Sequence, residues 1–145
     1  MAIASMLTKS LIGKELYNKI MYEYSSLMAS SKSASNINKE FRDVVYPFFD
    51  EMVTPAAGKK IAALARMLHD QAIATRKLAI TLRELIERVD FSPFKRESDD
   101  PVGAEIYSKV AQAVKNIGIF ASIEERTAQD YIDVARFYFQ KEKLS

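Results

Sequence analysis

Basic side chains recur every seven residues along one segment of the chain. His69, Arg76 and Arg83 are seven positions apart, and Lys77 lies beside Arg76. Because seven residues make nearly two turns of an α-helix, such side chains form a row along one flank of the helix. A row of cations can neutralise successive backbone phosphates of a nucleic acid, and arginine can also stack on exposed bases. The alternative is a solvated helix flank whose charge Glu87 screens.

A second candidate surface is aromatic and lies near the C-terminal end of the sequence. Phe137, Tyr138 and Phe139 follow one another beside Arg136. Three consecutive side chains point in different directions around a helix, so we expect at least one of them to face outward. Exposed aromatic side chains next to an arginine are typical of protein interfaces, and the alternative is that they fill a gap between helices. We predict protein contacts for Phe137 and Phe139.

The sequence offers no recognisable catalytic or metal-binding set. There is no cysteine, which excludes a thiolate zinc site and a cysteine nucleophile. His69 is the single histidine, and Arg66 stands three positions before it, where a di-iron bundle carries a glutamate. Gly58-Lys59-Lys60 lacks the earlier glycine and the following Ser or Thr of a phosphate loop. We therefore expect a protein that is not an enzyme, with no metal and no cofactor.

The composition is that of one globular domain. The 145 residues suit a single domain, and 48% hydrophobic with 28% charged residues is the ordinary globular balance. Four glycines and four prolines are few, which favours long helices over an all-β fold. A net charge of +2 is too small to indicate nucleic-acid binding by itself. The sequence shows neither a signal peptide nor an apolar run of about 20 residues, so we expect a cytoplasmic protein without membrane contact.

Apolar spacing and turn signals predict an all-α, five-helix bundle built around one long central helix. The first helix is expected from about residue 8 to residue 29, with 1–12 as a potential separate arm because Gly13 interrupts the pattern. The small, polar stretch 30–36 is predicted to be a flexible loop. A second helix is expected to follow, and to kink just before Pro47.

The third predicted helix is the central one. Thr54-Pro55 is a strong start signal, with a capping hydroxyl followed by proline at the first helical position. One apolar phase then holds as far as Val89, which corresponds to a helix on the order of 50 Å long. A loop over 91–100 follows. The inward face is predicted to comprise Ile61, Leu64, Leu68, Ala72, Ala79, Leu82, Ile86 and Val89.

The remaining sequence predicts two further helices. Asp100-Pro101 repeats the cap-plus-proline start, and Gly118 fits the residue that follows a helix end. The sequence Ser122-Ile123-Glu124-Glu125 has the form of a capping box, which predicts the start of a fifth helix. The residues expected to face inward in that helix are Tyr131, Val134, Ala135 and Tyr138.

Three stretches of the chain resemble the small helical subunit of type III-A CRISPR effector complexes. Residues 38–46 are similar to that family's short arginine-centred helix, in which Arg42 is the arginine here. Residues 64–76 are similar to its central leucine-rich helix ending in arginine. Residues 133–138 match its acidic residue followed five positions later by tyrosine.

The chain also departs from that family at two places. Ile73-Ala74-Thr75 stands where the family has an Ala-Tyr pair before the arginine, and Phe139 stands where a histidine is common. The resemblance implies a non-catalytic subunit that stacks along guide and target RNA beside other protein subunits. We therefore expect single-stranded RNA as a partner. The residues predicted to contact its phosphates are Arg42, Arg76, Lys77 and Arg83.

Two alternatives remain open. Residues 16–20 and 76–79 resemble the helical domain of archaeal GINS replication subunits, which implies a protein-interaction scaffold of a replication complex. That family normally adds a small β domain, for which the sequence has no strand pattern. The other alternative is a self-assembling structural or virion protein, a homo-oligomer whose surfaces pack on copies of itself.

Overall fold

The described residues of the chain form three long helices. The computed structural model describes residue 9 and residues 12–48, 54–92 and 101–144. In these ranges it shows three long α-helices, a short 3-10 turn after the first of them, and no β-strand. The predicted all-α bundle is confirmed, whereas the predicted number of five helices is wrong. No helix in the described ranges is long and apolar enough to span a bilayer. The helices are α1 (Lys14–Val45), α2 (Pro55–Glu87) and α3 (Pro101–Leu144), with the 3-10 turn at Tyr46–Phe48.

The central position of α2 is confirmed. It packs along both other helices, which contact each other much less. Near its end Ile86 meets Gly118, in the first half of α3, so α2 and α3 are antiparallel. Helices α1 and α3 are parallel, since Tyr24 of α1 packs on Phe120 of α3 and residues further along α1 pack on residues further along α3. The arrangement is an up-down-up bundle.

The core follows a seven-residue repeat. Buried residues of α1 recur every seven positions, and those of α2 alternate steps of four and three. Helices that keep this 3.5-residue period pack as left-handed coiled coils, because the period is slightly shorter than the 3.6-residue turn. The predicted inward face of α2 is confirmed, since all eight of its residues are buried. The repeat comprises Ile20, Leu27, Ala34 and Phe41 in α1, and Ile61, Ala65, Leu68, Ala72, Thr75, Ala79, Leu82 and Ile86 in α2.

The loop predicted over 30–36 is wrong, because α1 continues through it without interruption. The small polar residues favour a loop only when their hydroxyls lack partners. Here Ser30 and Ala34 are buried, and their small side chains let α1 approach its neighbours closely. The α-helix ends at Val45 and tightens into the 3-10 turn that contains Pro47, where a kink was predicted, and the continuation predicted beyond this turn lies outside the described residues from 49 to 53.

The break predicted between a fourth and a fifth helix is also wrong, because α3 is continuous. Gly118 lies inside α3, where a Cβ atom would stand 3.0 Å from Ile86 Cγ2. Gly118 therefore allows α2 and α3 to approach each other closely, and it does not mark the end of a helix. The Ser122 hydroxyl donates to the Gly118 carbonyl oxygen, 3.2 Å away, so it caps no new helix. Val134, expected to face inward, is 46% exposed.

The helix ends follow their local sequence signals. Ala57 N–H donates to Thr54 Oγ1 at 3.1 Å, which confirms the predicted cap of α2. After α2, the Ser92 N–H donates to the Asp90 carboxylate at 2.9 Å, and this bond lowers the pKa of Asp90. The loop predicted at 91–100 lies outside the described residues from 93 onward, as does most of the arm predicted at 1–12.

Two apolar clusters fill the ends of the bundle. Leu27 and Leu82 belong to one, together with Val114 of α3, while Phe41 and Leu68 belong to the other, which also contacts α3. Each cluster therefore involves all three helices. Along α1 the clusters are separated by residues 30 to 36, so the middle of the bundle is built differently from its ends.

A polar layer separates these clusters, comprising Ser30, Ser31, Gln71, Thr75 and Glu124. The Ser30 and Thr75 hydroxyl oxygens are 2.6 Å apart, and Gln71 Nε2 donates to Ser30 at 2.9 Å. Thr75 donates its proton to the Gln71 carbonyl oxygen at 2.9 Å, which makes Ser30 the donor to Thr75. Ser31 donates to Glu124 at 2.5 Å, and this bond extends the layer to α3.

Thr75→Val tests the polar layer, because valine keeps the shape and removes the hydroxyl. We expect the free energy of unfolding to fall by about 1–2 kcal/mol, since the buried Ser30 hydroxyl loses its acceptor. Adding Ser30→Ala should recover only part of that loss, because the Ser30–Thr75 pair is then apolar while the half-buried Gln71 amide loses its acceptor. Denaturant unfolding followed by circular dichroism measures both.

Thr81→Val is the matched control. Thr81 is exposed on the same helix, and its hydroxyl makes the same 2.9 Å bond to a carbonyl four residues earlier. Its replacement should leave stability almost unchanged. Equal losses at positions 75 and 81 would contradict a stabilising role for the layer.

Candidate nucleic-acid interface

The predicted basic row lies on the flank of α2 that faces α3. Two of its members, Arg76 and Arg83, are half-buried and line an open groove of about 470 Å³ between these helices. His69 lies further along the flank, beyond the residues that line the groove, and its Nδ1 is 3.1 Å from the Asp70 carboxylate. The opposite wall comes from α3 and comprises Ser122, Glu125, Arg126, Gln129 and Asp130. We call this feature the arginine groove.

Arg83 is held in place by two carboxylates. Its Nε is 3.1 Å from Glu125 Oε2 on α3, and its Nη1 is 3.4 Å from Glu87 Oε1 one turn away on α2. The Arg83 and Glu125 side chains are 37% and 25% exposed, so the pair is partly shielded from water. Much of the Arg83 charge is therefore compensated, and its contact with Glu125 joins the two walls of the groove.

Arg76 and Arg126 supply the uncompensated cations of the groove. Neither forms an ion pair with any described residue, and they stand on opposite helices. With Glu125 paired to Arg83, Asp130 is the remaining carboxylate of the lining. Guanidinium groups keep their charge at any physiological pH and bind phosphate through two parallel hydrogen bonds. The groove therefore has the chemistry of a phosphate site.

The structure does not bring all four predicted phosphate contacts together. Arg76 and Arg83 line the groove, whereas Lys77 is exposed on the outer surface of α2, next to it. Arg42 is exposed near the end of α1, beside Phe41, which packs with Leu64. Leu64 precedes Arg76 by twelve residues in α2, so Arg42 lies about 20 Å from Arg76 along the bundle axis. Arg42 is thus not part of the groove.

Arg126 is the groove residue that sequence reasoning missed. Its position follows only if α3 is one continuous helix antiparallel to α2, because this pairing sets residue 125 against residue 83. The sequence signal that could have found it is the apolar repeat of α3, which passes through Gly118 and Ser122 without a change of phase. The capping-box interpretation obscured that repeat.

The aromatic surface is partly defined. Phe137 is 59% exposed, which confirms that at least one aromatic side chain of this stretch faces outward. Tyr138 turns inward instead and packs edge-on against Phe41, with ring centroids 5.0 Å apart. The Phe139 side chain lies outside the described residues, so its predicted protein contact stays a prediction.

No protein-family model matches the chain, and no curated protein or solved structure matches it either. The resemblances to the type III-A CRISPR small subunit and to GINS subunits therefore stay predictions from short motifs. Among the described residues, no group of three or more Asp, Glu or His side chains could hold a metal ion.

The structural role of Arg83 can be separated from binding by a double-mutant cycle. We expect Arg83→Met and Glu125→Gln to show a coupling of about 0.5–1 kcal/mol in the free energy of unfolding, since the pair is partly buried. This coupling should shrink at high salt. Arg76→Met is the matched control and should show no coupling to Glu125. A coupling for Arg76 as large as that for Arg83 would contradict the assignment.

Proposed function

We propose that this chain is a non-catalytic helical subunit of a nucleoprotein complex, which holds the backbone of single-stranded RNA along the arginine groove and binds neighbouring protein subunits. One observation carries the proposal. Arg76 and Arg126 face one groove from two helices, and no described carboxylate pairs with either. The resemblance to the type III-A CRISPR small subunit supports the same function.

Each cation has a distinct part in this proposal. Arg76 and Arg126 contact phosphates in the groove, while Arg83, already paired with Glu125, sets the distance between its walls. Lys77 adds attraction from the adjacent surface. Arg42, about 20 Å away along the bundle, contacts a different part of the same strand.

The small number of cations also explains why the protein acts as a subunit. A net charge of +2 gives little long-range attraction for RNA. Three or four phosphate contacts without base recognition provide weak, salt-sensitive binding. Such binding becomes effective when neighbouring subunits hold the same strand and raise the local concentration.

Salt dependence of binding tests the groove. We expect Arg76→Ala with Lys77→Ala to weaken binding of a single-stranded RNA and to lower the slope of log K against log salt by about one unit, because about 0.7 counterion is released per phosphate. Fluorescence anisotropy with a labelled oligonucleotide at several salt concentrations measures this slope.

The matched control is Lys32→Ala with Lys39→Ala. Both lysines are exposed on α1, and their loss removes the same total charge. The control should change the slope much less than the groove variant. Equal slopes for the two variants, or a groove variant that binds like the wild type, would remove the groove as an RNA site.

A second candidate function is a protein-interaction scaffold without nucleic acid. The observation that favours it is a set of large apolar side chains that are at least half exposed. Phe137, Ile123 and Ile119 of α3 are 59%, 57% and 54% exposed. Exposed apolar groups concentrated on one helix are typical of surfaces that bind other proteins.

Phe137→Ser tests this protein surface. We expect a weaker complexed or oligomeric state with unchanged helicity, because the ring is mostly exposed. Light scattering coupled to gel filtration measures the assembly, and circular dichroism measures the fold. Phe120→Ser is the control, since Phe120 is partly buried against Tyr24 and its loss should lower stability. A loss of helicity on Phe137→Ser would place that ring in the core.

A further inference from the structure

Six exposed residues form a stripe along α3. At about 100° per residue they fall within a sector of about 80°, on a side of α3 that faces away from the core. The stripe spans from residue 119 to residue 137 and is therefore about 27 Å long. Its four apolar members are between 46% and 59% exposed. The α3 stripe comprises Ile119, Ile123, Arg126, Asp130, Val134 and Phe137.

The α3 stripe is nearly symmetric about its middle. Its apolar residues lie at the two ends, and Arg126 and Asp130 lie two positions on either side of residue 128. Ile119 and Phe137 are each nine positions from that same centre, while Ile123 and Val134 are five and six positions from it. When two such helices are set antiparallel, apolar side chains therefore face apolar side chains, and each Arg126 faces an Asp130.

We propose that a second copy of this chain docks on the α3 stripe, with the two α3 helices antiparallel and the two-fold axis at the level of Ala128. Such an interface is isologous, because the same patch of both copies is used. It contains two identical Arg126–Asp130 pairs at the centre and an apolar contact at each end. Because Arg126 also lines the arginine groove, an RNA phosphate and the Asp130 of a second copy compete for the same guanidinium, and dimerisation is therefore tested in the absence of RNA.

The charges select this arrangement against the alternatives. A parallel, in-register pair would set Arg126 against Arg126 and Asp130 against Asp130. An antiparallel pair shifted by seven residues would set Ile119 against Asp130 and Ile123 against Arg126. Each alternative places like charges together or a charge against an apolar side chain, which disfavours it.

The two central charges are available to a partner. Arg126 and Asp130 are one turn apart in the same helix, yet no ion pair joins them to each other or to another described residue. Both are exposed. Four large apolar side chains on the same stripe would otherwise remain in contact with water, which is the usual mark of an interaction surface. A second copy covers them and pairs the charges at once.

Charge reversal tests the proposal, with sedimentation equilibrium of the full chain as the measurement. We expect the wild type to dimerise. Arg126→Asp and Asp130→Arg should each weaken the dimer by roughly ten-fold or more, because both central pairs become repulsive. An equimolar mixture of these two variants should dimerise again, since the introduced carboxylate of one copy then meets the introduced guanidinium of the other. The double variant Arg126→Asp with Asp130→Arg should dimerise by itself.

Rescue in the mixture shows that both variants are folded, so it separates the proposal from a loss of structure. A wild type that stays monomeric at the highest concentration would overturn the proposal. Single reversals that dimerise as tightly as the wild type would overturn it too. These outcomes are independent of the RNA test, which changes Arg76 and Lys77 and leaves the stripe intact.

Discussion

The hydrogen bond between the buried hydroxyls of Ser30 and Thr75 fixes how the helices stand against one another. A seven-residue repeat alone leaves α1 able to slide along α2 in steps of seven, since each step sets one apolar residue against another. Sliding by one such step would place Ser30 opposite Leu68 or Leu82, where its hydroxyl would be buried without a partner. The polar layer thus supplies the register that the apolar repeat lacks. The contact of Gly118 with Ile86 supplies the same constraint between α2 and α3.

Once the register is fixed, the arginine groove follows. Arg83 meets Glu125 because α3 is antiparallel to α2, and Arg76 then lies two turns away on the same wall. Small buried residues let the three backbones approach closely in the middle of the bundle, and they include Ala34, Ala72 and Ala128. The long side chains that line the groove therefore extend from the part of the bundle where the helix backbones lie closest together.

Sequence reasoning succeeded where a local signal and the tertiary structure agree. The extent and inward face of α2 were predictable, because Thr54-Pro55 marks its start and one apolar phase runs along it. The helical structure of the stretch 30–36 and of the segment from Gly118 to Ser122 was not predictable. Small and polar residues of this kind indicate a loop or a helix cap when no other helix packs against them, and they allow close packing when another helix does. Their partners, Thr75 and Ile86, are more than thirty positions away in sequence. Only the α2 wall of the groove was predictable, for the same reason. Arg76 and Arg83 belong to one helix, whereas Arg126 comes close to them only because α3 packs against α2.

The position of the polar layer has a consequence for how the bundle opens. Regions with few buried apolar contacts open more easily than packed cores, so we expect the two apolar clusters, divided by a polar layer, to open as two halves of the bundle. Arg76 follows Thr75 directly, and Arg126 lies two residues after Glu124, so the groove sits at the boundary between these halves. An anion that bridged the two arginines would tie α2 to α3 close to the polar layer between the two apolar clusters. A ligand that bound only the closed bundle would add to the free energy of opening, so occupancy of the groove would be coupled to the rigidity of the whole bundle.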